Sequence, residues 1–240
     1  MRGKLGPIAT HEGMYRLPYH WFPETPLKEF ERKVKQRIVF SLIDNYLQQP
    51  IRYFLDVGCG DGRWTSDIYK YLERMPETAG IDFSERAIAC AKLITPGINY
   101  LNHRGEELPF ADCHFDLVTA IEVIEHVEDR AEERFLQECL RVLKPNGLFI
   151  LTTPSWNLRL AKHHFRHYSI ERLSELLTKH GFELVSMRGQ SLPCYGLKRK
   201  IRKTMGHTPK LWQLWKFTYR EVSPEKALNL ILAARPTRRA

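Results

Sequence analysis

Three glycines on alternate positions, Gly58, Gly60 and Gly62, stand in the run Asp56-Val57-Gly58-Cys59-Gly60-Asp61-Gly62-Arg63-Trp64. Without Cβ atoms the backbone can turn sharply there and let a ligand approach closely as a strand hands over to a helix. Twenty residues past Gly62, at the end of the next apolar run, Asp82 can accept hydrogen bonds from both hydroxyls of an unphosphorylated ribose. Alternate glycines alone fit a plain tight turn, and Asp82 alone fits a solvated cap. Together, on consecutive strands, they suit one adenosine lying across both. A dinucleotide fingerprint needs glycine where Arg63 stands, which disfavours a dehydrogenase.

A second cluster can handle protons. Glu122-Val123-Ile124-Glu125-His126 follows a later apolar run, and helical turns beginning there would put both glutamates on one face with His126 beside them. Residues 155–168 add His163, His164 and His167 to a basic, aromatic stretch. Histidine is the usual side chain for taking a proton near neutral pH.

These groups need a scaffold that brings the ends of several strands together. Recurrence of Phe30, Val34, Ile38 and Leu42 every four residues predicts an amphipathic helix from Pro26 to about Leu47. Strands are expected at 52–57, 78–83, 98–103, 116–121, 148–153, 182–188 and 227–234. Helices are expected near 64–73, 84–93, 131–143 and 169–180, the last opened by Ser169 and closed by Gly181. The alternation predicts a doubly wound, mostly parallel seven-stranded α/β sheet, in which ligands bind beyond the carboxyl ends of the strands. Residues 1–25, rich in Gly, Pro and His with no regular period, are expected to form a strap or lid on a domain spanning 26–240. Residues 192–226 are expected to form a basic aromatic insertion, helical in part, before the last strand.

FLDVGCGDGR (54–63), GIDFSERAI (80–88), EELPFADCHFDLV (106–118), IEVIEHV (121–127) and LKPNGLFILTTP (143–154) together resemble the successive motifs of class I S-adenosylmethionine-dependent methyltransferases, with their Rossmann-like fold. The resemblance covers about residues 50–190 and implies S-adenosylmethionine as cofactor. It places Gly58, Gly60 and Gly62 beside the methionine part, with Asp56 orienting the loop. It gives Asp82 the ribose hydroxyls, Phe83 the adenine face, and Glu122 a positioning role. Where many relatives carry an aspartate for the adenine amino group this chain has Arg104, and Glu106 is the substitute.

The E-x-x-E-H run is similar to that of ubiquinone-type O-methyltransferases, which implies transfer to a hydroxyl, with His126 as base and His164 and Glu125 in support. No metal is expected, since many relatives carry E-H here without one. The alternative is a metal-assisted RNA ribose 2′-O-methyltransferase, in which Glu122, Glu125, His126 and His164 would hold magnesium or manganese. A non-catalytic adaptor that binds only the cofactor is a third reading.

Composition narrows the partners. The chain has 240 residues, 43% of them hydrophobic, and a net charge of +9. That is an ordinary folded composition, which excludes a disordered chain. The excess charge is local: residues 196–240 carry 12 Lys and Arg against 2 Glu, while 1–195 are close to neutral. Leu197, Ile201 and Met205 share one helical face, with lysines and arginines on others and Trp212, Trp215 and Phe217 beyond. This suits peripheral contact of 197–217 with an anionic membrane, and a small-molecule or lipid-linked acceptor. No recognisable nucleic-acid module accompanies it, so nucleic acid is the weaker fit. Five scattered cysteines with no C-x-x-C spacing are expected to be reduced thiols. The absence of a secretory signal or spanning segment predicts a cytoplasmic protein.

Overall fold

The structure is a computed structural model and describes residues 15, 17–22, 26–47, 49–73, 76–191 and 221–237. The expected insertion, apart from its last residues, lies outside these. In chain order the elements are α1 (Pro26–Tyr46), β1 (Tyr53–Val57), α2 (Arg63–Tyr71), β2 (Glu77–Asp82), α3 (Glu85–Ile94), β3 (Asn99–Asn102) and β4 (Phe115–Ile121). They continue with α4 (Glu132–Val142), β5 (Leu143–Pro154), α5 (Ile170–Lys179), β6 (Phe182–Gln190), β7 (Glu221–Val222) and β8 (Asn229–Pro236). Short 3-10 turns occupy Ile124–His126, Asp129–Ala131 and Pro224–Lys226.

The strands form one sheet in the order β3-β2-β1-β4-β5-β8-β6-β7. Pairing is parallel from β3 through β5, and β8 runs antiparallel between β5 and β6. The sheet thus has eight strands rather than seven. The addition is β7, two residues at the edge of β6, too short to leave a periodic signal. The strand order reverses between β1 and β4, and a crevice opens at the carboxyl ends of such a pair.

Period-two alternation sends neighbouring strand residues to opposite faces. Phe54, Leu117, Leu148, Ile150 and Ile231 pack under α1, through its Val34, Ile38, Val39, Leu42 and Ile43. Leu55, Val118, Phe149, Leu151 and Leu232 face the other way, against Phe135, Leu136, Cys139 and Val142 of α4 and Leu173 and Leu177 of α5. Both faces are covered, as a parallel sheet requires.

Local signals set the helix ends. The side chains of Ser84 and Ser169 accept from Ala87 N and Arg172 N as N-caps of α3 and α5. Gly181, at φ +84°, follows the end of α5. Cys59, Cys90, Cys113 and Cys139 are free thiols. Among the described residues no helix is long and apolar enough to cross a membrane.

Candidate functional site

The chain leaves β1 through a loop whose three glycines all have left-handed backbones, φ +73° at Gly58, +53° at Gly60 and +76° at Gly62. A Cβ on Gly58 would lie 2.5 Å from Val123, and one on Gly60 would lie 2.6 Å from the Tyr15 hydroxyl. Backbone angle and close approach both demand glycine at these positions. The loop is tied to β2 at each turn: Gly58 N and Cys59 N donate to Ile81 O, and Gly60 N donates to Asp82 Oδ2 at 2.9 Å. Asp82 Oδ1 accepts from Ser84 N, so one buried carboxylate fixes both the glycine loop and the start of α3.

Asp56, one residue before the end of β1, is fully buried. It accepts from Thr65 Oγ1 of α2 and Thr119 Oγ1 of β4, each at 2.6 Å. Burial raises its carboxyl pKa to about 6, against the lowering effect of the two hydroxyls. The residue expected to orient the loop is therefore an internal brace joining β1, β4 and α2.

The described part of residues 1–25 lies over this loop. Asp61, fully buried, accepts from His20 N at 3.0 Å and from His20 Nδ1 at 3.1 Å, while its carbonyl accepts from Trp21 Nε1 at 2.9 Å. Tyr15 and Tyr19 sit with ring centroids 5.2 Å apart. The acid in this tie carries no periodic signal; only its place inside the glycine run marks it.

At the end of β4 the chain makes a second strained turn, with Glu122 at φ +58°. Glu122 Oε1 accepts from Thr152 Oγ1 at 2.7 Å and pairs with Lys35 Nζ of α1 at 2.8 Å. Glu125 is completely buried. Its Oε2 accepts from Thr153 Oγ1 at 3.0 Å, Oε1 has no hydrogen-bond partner among the described residues, and burial pushes its carboxyl well above the usual range. His126 Nδ1 donates to His163 O at 3.0 Å, which leaves the lone pair on Nε2; burial lowers its imidazole pKa to about 4. His167 Nδ1 donates to Leu158 O, so its Nε2 accepts from His164 Nδ1 at 2.7 Å. The two histidine segments are joined by Phe165 N donating to Glu125 O.

Two cavities meet across this region. A narrow slot is lined by Val57, Phe83, Arg104, Gly105, Glu106 and Phe135 among others. A wider crevice, enclosing about 490 Å³ of solvent-accessible space, runs from Tyr15, Tyr19 and Lys35 past the loop to Glu122, Glu125, His126 and His164. Gly58, Asp82, Phe83, Val123, His126 and His163 line both. The expected residues Asp56, Gly58, Gly60, Asp82, Phe83, Glu122, Glu125, His126 and His164 thus border one crevice, with Glu106 in the adjoining slot. Gly62 is packed instead against Tyr100, behind the loop. Sequence reasoning gave no role to Asp61 or Lys35 and named His163 only as one of the basic and aromatic residues of 155–168.

Comparison with known proteins agrees with this geometry. Residues 55–151 match the family model described as a methyltransferase domain. A protein of Encephalitozoon cuniculi whose name assigns it to the methyltransferases is 30% identical over 195 residues, covering 69% of this chain and 87% of that one. The ubiquinone biosynthesis O-methyltransferase of Bradyrhizobium diazoefficiens is 38% identical over 161 residues, covering 65% of this chain and 56% of its own. The chain spans about half the length of the mycobacterial relatives it also matches. Among solved structures, the 1,6-didemethyltoxoflavin-N1-methyltransferase of Burkholderia thailandensis, with S-adenosylhomocysteine bound, shares the fold. Its TM-score is 0.60 at 19% identity, covering 96% of this chain and 88% of that one. With the glycine loop, the buried acid at the end of β2 and the sheet order all in place, the chain belongs to the class I S-adenosylmethionine-dependent methyltransferases, the family whose cofactor is S-adenosylmethionine.

Proposed function

We propose that this protein transfers a methyl group to a hydroxyl oxygen of a small-molecule or lipid-linked acceptor. When bound, S-adenosylmethionine supplies an electrophilic methyl on a sulfonium, and the protein's task is to align and desolvate the partners. Gly58 and Gly60 let the backbone come close to the methionine part, and Asp82, held by Gly60 N and Ser84 N at the end of β2, accepts the ribose hydroxyls. Phe83 and Glu106 in the narrow slot take the adenine ring and its amino group. The residues over the loop, tied down by Asp61, close the cofactor end against water.

The acceptor occupies the wider crevice. A hydroxyl must lose its proton as it is methylated, and His126 Nε2 is placed to receive it. The observation that carries this reading is the shared wall: His126 borders the same cavities as Gly58, Asp82 and Phe83. The O-methyltransferase name of the Bradyrhizobium relative supports oxygen as the acceptor atom. Glu125, whose carboxyl burial pushes well above the usual range, braces the turn behind His126 through Thr153.

The test is to incubate the purified protein with methyl-tritiated S-adenosylmethionine and extract fractions. Label is expected in an organic-soluble or small-molecule product that survives mild alkali, as an ether does and a methyl ester does not. Label in RNA or protein would displace the reading. His126→Asn should slow turnover by about 100-fold while calorimetry shows unchanged affinity for S-adenosylhomocysteine. A variant with normal turnover would remove His126 as the base.

A further inference from the structure

His126, His163 and His164 each offer one ring nitrogen, and these nitrogens all lie within 4.8 Å of one another. Among the described residues no other group of three or more histidine, cysteine, aspartate or glutamate side chains is drawn together in this way. The rings are mutually oriented, His126 stacked on His163 at 5.5 Å and edge-on to His164 at 4.7 Å between centroids. All three line the acceptor crevice.

The surroundings match what a nitrogen-ligated metal needs. A ligating imidazole almost always donates its other N–H to a carbonyl, a carboxylate or a comparable acceptor, which fixes tautomer and ring orientation. His126 Nδ1 donates to His163 O, and His164 Nδ1 donates to His167 Nε2, itself held by Leu158 O. Two of the three rings are therefore fixed with Nε2 carrying the lone pair, one by the main-chain carbonyl of His163 and one by His167, which lies outside the cluster. A tetrahedral zinc centre holds its nitrogens about 3.4 Å apart, so the rings would close by roughly 1.4 Å at most.

The nearby carboxylates are turned to other work. Glu122 is engaged by Lys35 and Thr152, and Glu125 is buried against Thr153. The ligand set is therefore all nitrogen, which selects ions of the zinc, cobalt and nickel type and disfavours magnesium and calcium, whose ligands are oxygens. It differs from the two-glutamate, two-histidine set that the E-x-x-E-H resemblance implies, because His163 enters and both glutamates leave.

We propose that His126, His163 and His164 bind one divalent transition-metal ion of the zinc class, one ring nitrogen each, with the fourth coordination position facing the crevice. Binding of this ion and proton acceptance by His126 exclude each other, since both use the same lone pair. The site stands apart from the methyl-transfer reading, because metal binding is measurable without turnover.

The experiment takes the full chain, stripped with chelator, and titrates it with cobalt(II) chloride in absorption and zinc(II) chloride in calorimetry. One equivalent of each is expected, with the visible bands of a four-coordinate nitrogen and oxygen environment. His163→Ala and His164→Ala should each weaken zinc binding by at least about tenfold, and His167→Ala, which only orients His164, by roughly tenfold. Glu122→Gln should leave zinc affinity within about twofold, and millimolar magnesium should not compete. Circular dichroism and melting temperature verify that each variant is folded. No saturable zinc binding, an intense near-ultraviolet thiolate band, or affinity within about twofold of wild type in both His163→Ala and His164→Ala would overturn the site. Loss of binding in Glu122→Gln would overturn it in favour of a carboxylate site.

Discussion

Asp56 illustrates how one residue in this site works against its own ionisation. Its carboxyl is lifted from an ordinary 3.8 to about 6, first by burial, although Thr65 and Thr119 both donate to it. A folded pKa above the unfolded one means that the native state holds the proton more tightly. The associated stability is fully present below about pH 4 and is lost as pH rises through about 6, a swing of about 3 kcal/mol. Asp56→Asn keeps an acceptor for one threonine and a donor for the other, whose hydroxyl can rotate to accept. Urea unfolding at pH 4.5 and pH 7 should show wild type losing stability relative to the variant across that interval. Parallel pH profiles for the two proteins would mean that Asp56 is not the titrating brace described here.

Among the elements, the 3-10 turn carrying His126 and the segment carrying His163 and His164 behave as one unit because Arg166 joins them. This buried guanidinium donates to Ile124 O and to Tyr168 Oη, pairs with Glu132 at 3.1 Å, and bonds to Asp129. Tyr168 Oη donates in turn to Glu132 Oε1 at 2.5 Å. Asp129 is exposed and adds little, whereas Glu132 is 9% exposed and would be left without its main cation if Arg166 were lost. Removing one partner of such a pair costs about 3 kcal/mol or more. Arg166→Met should therefore lower the melting temperature by about 6–12 °C in a chain of this size. A shift below about 2 °C would show that the network stabilises nothing.

Taken whole, the molecule exposes apolar side chains in two of the chain segments that also line the crevice. Leu17 and Phe22 are each 72% exposed in the segment that brings Tyr15, Tyr19 and His20 to the crevice, and Trp156 and Leu160 are 68% and 51% exposed in the segment that brings Leu158, His163 and His164 to it. With the cationic character of 196–240, these side chains support the proposal of an acceptor presented at an anionic lipid surface. Burying half of one such side chain contributes on the order of 1 kcal/mol. Replacing both Trp156 and Leu160 with serine, about 2 kcal/mol together, should then weaken partitioning onto phosphatidylserine-containing vesicles by roughly thirtyfold, and added salt should weaken it further. Unchanged partitioning of this variant, and of one lacking 197–217, would return the acceptor to free solution.

Much of this was readable from residue order alone. Alternation along Phe54-Leu55, Leu117-Val118 and Leu148–Leu151 predicts strands covered on both faces, because side chains of an extended chain alternate sides. Ser169 and Gly181 mark the ends of α5 through a local hydrogen bond and a backbone angle. The glycine run and Asp82 point to the ligand because the chemistry of a loop between strand and helix is itself local. Tertiary structure alone decided which side chains share the site. Lys35 pairs with Glu122, Asp61 holds His20 and Trp21 over the loop, and His163 and His164 come together with His126. Each of these pairings joins residues on separate elements, and the direction in which such side chains meet depends on the twist and packing of the sheet, which no local period encodes.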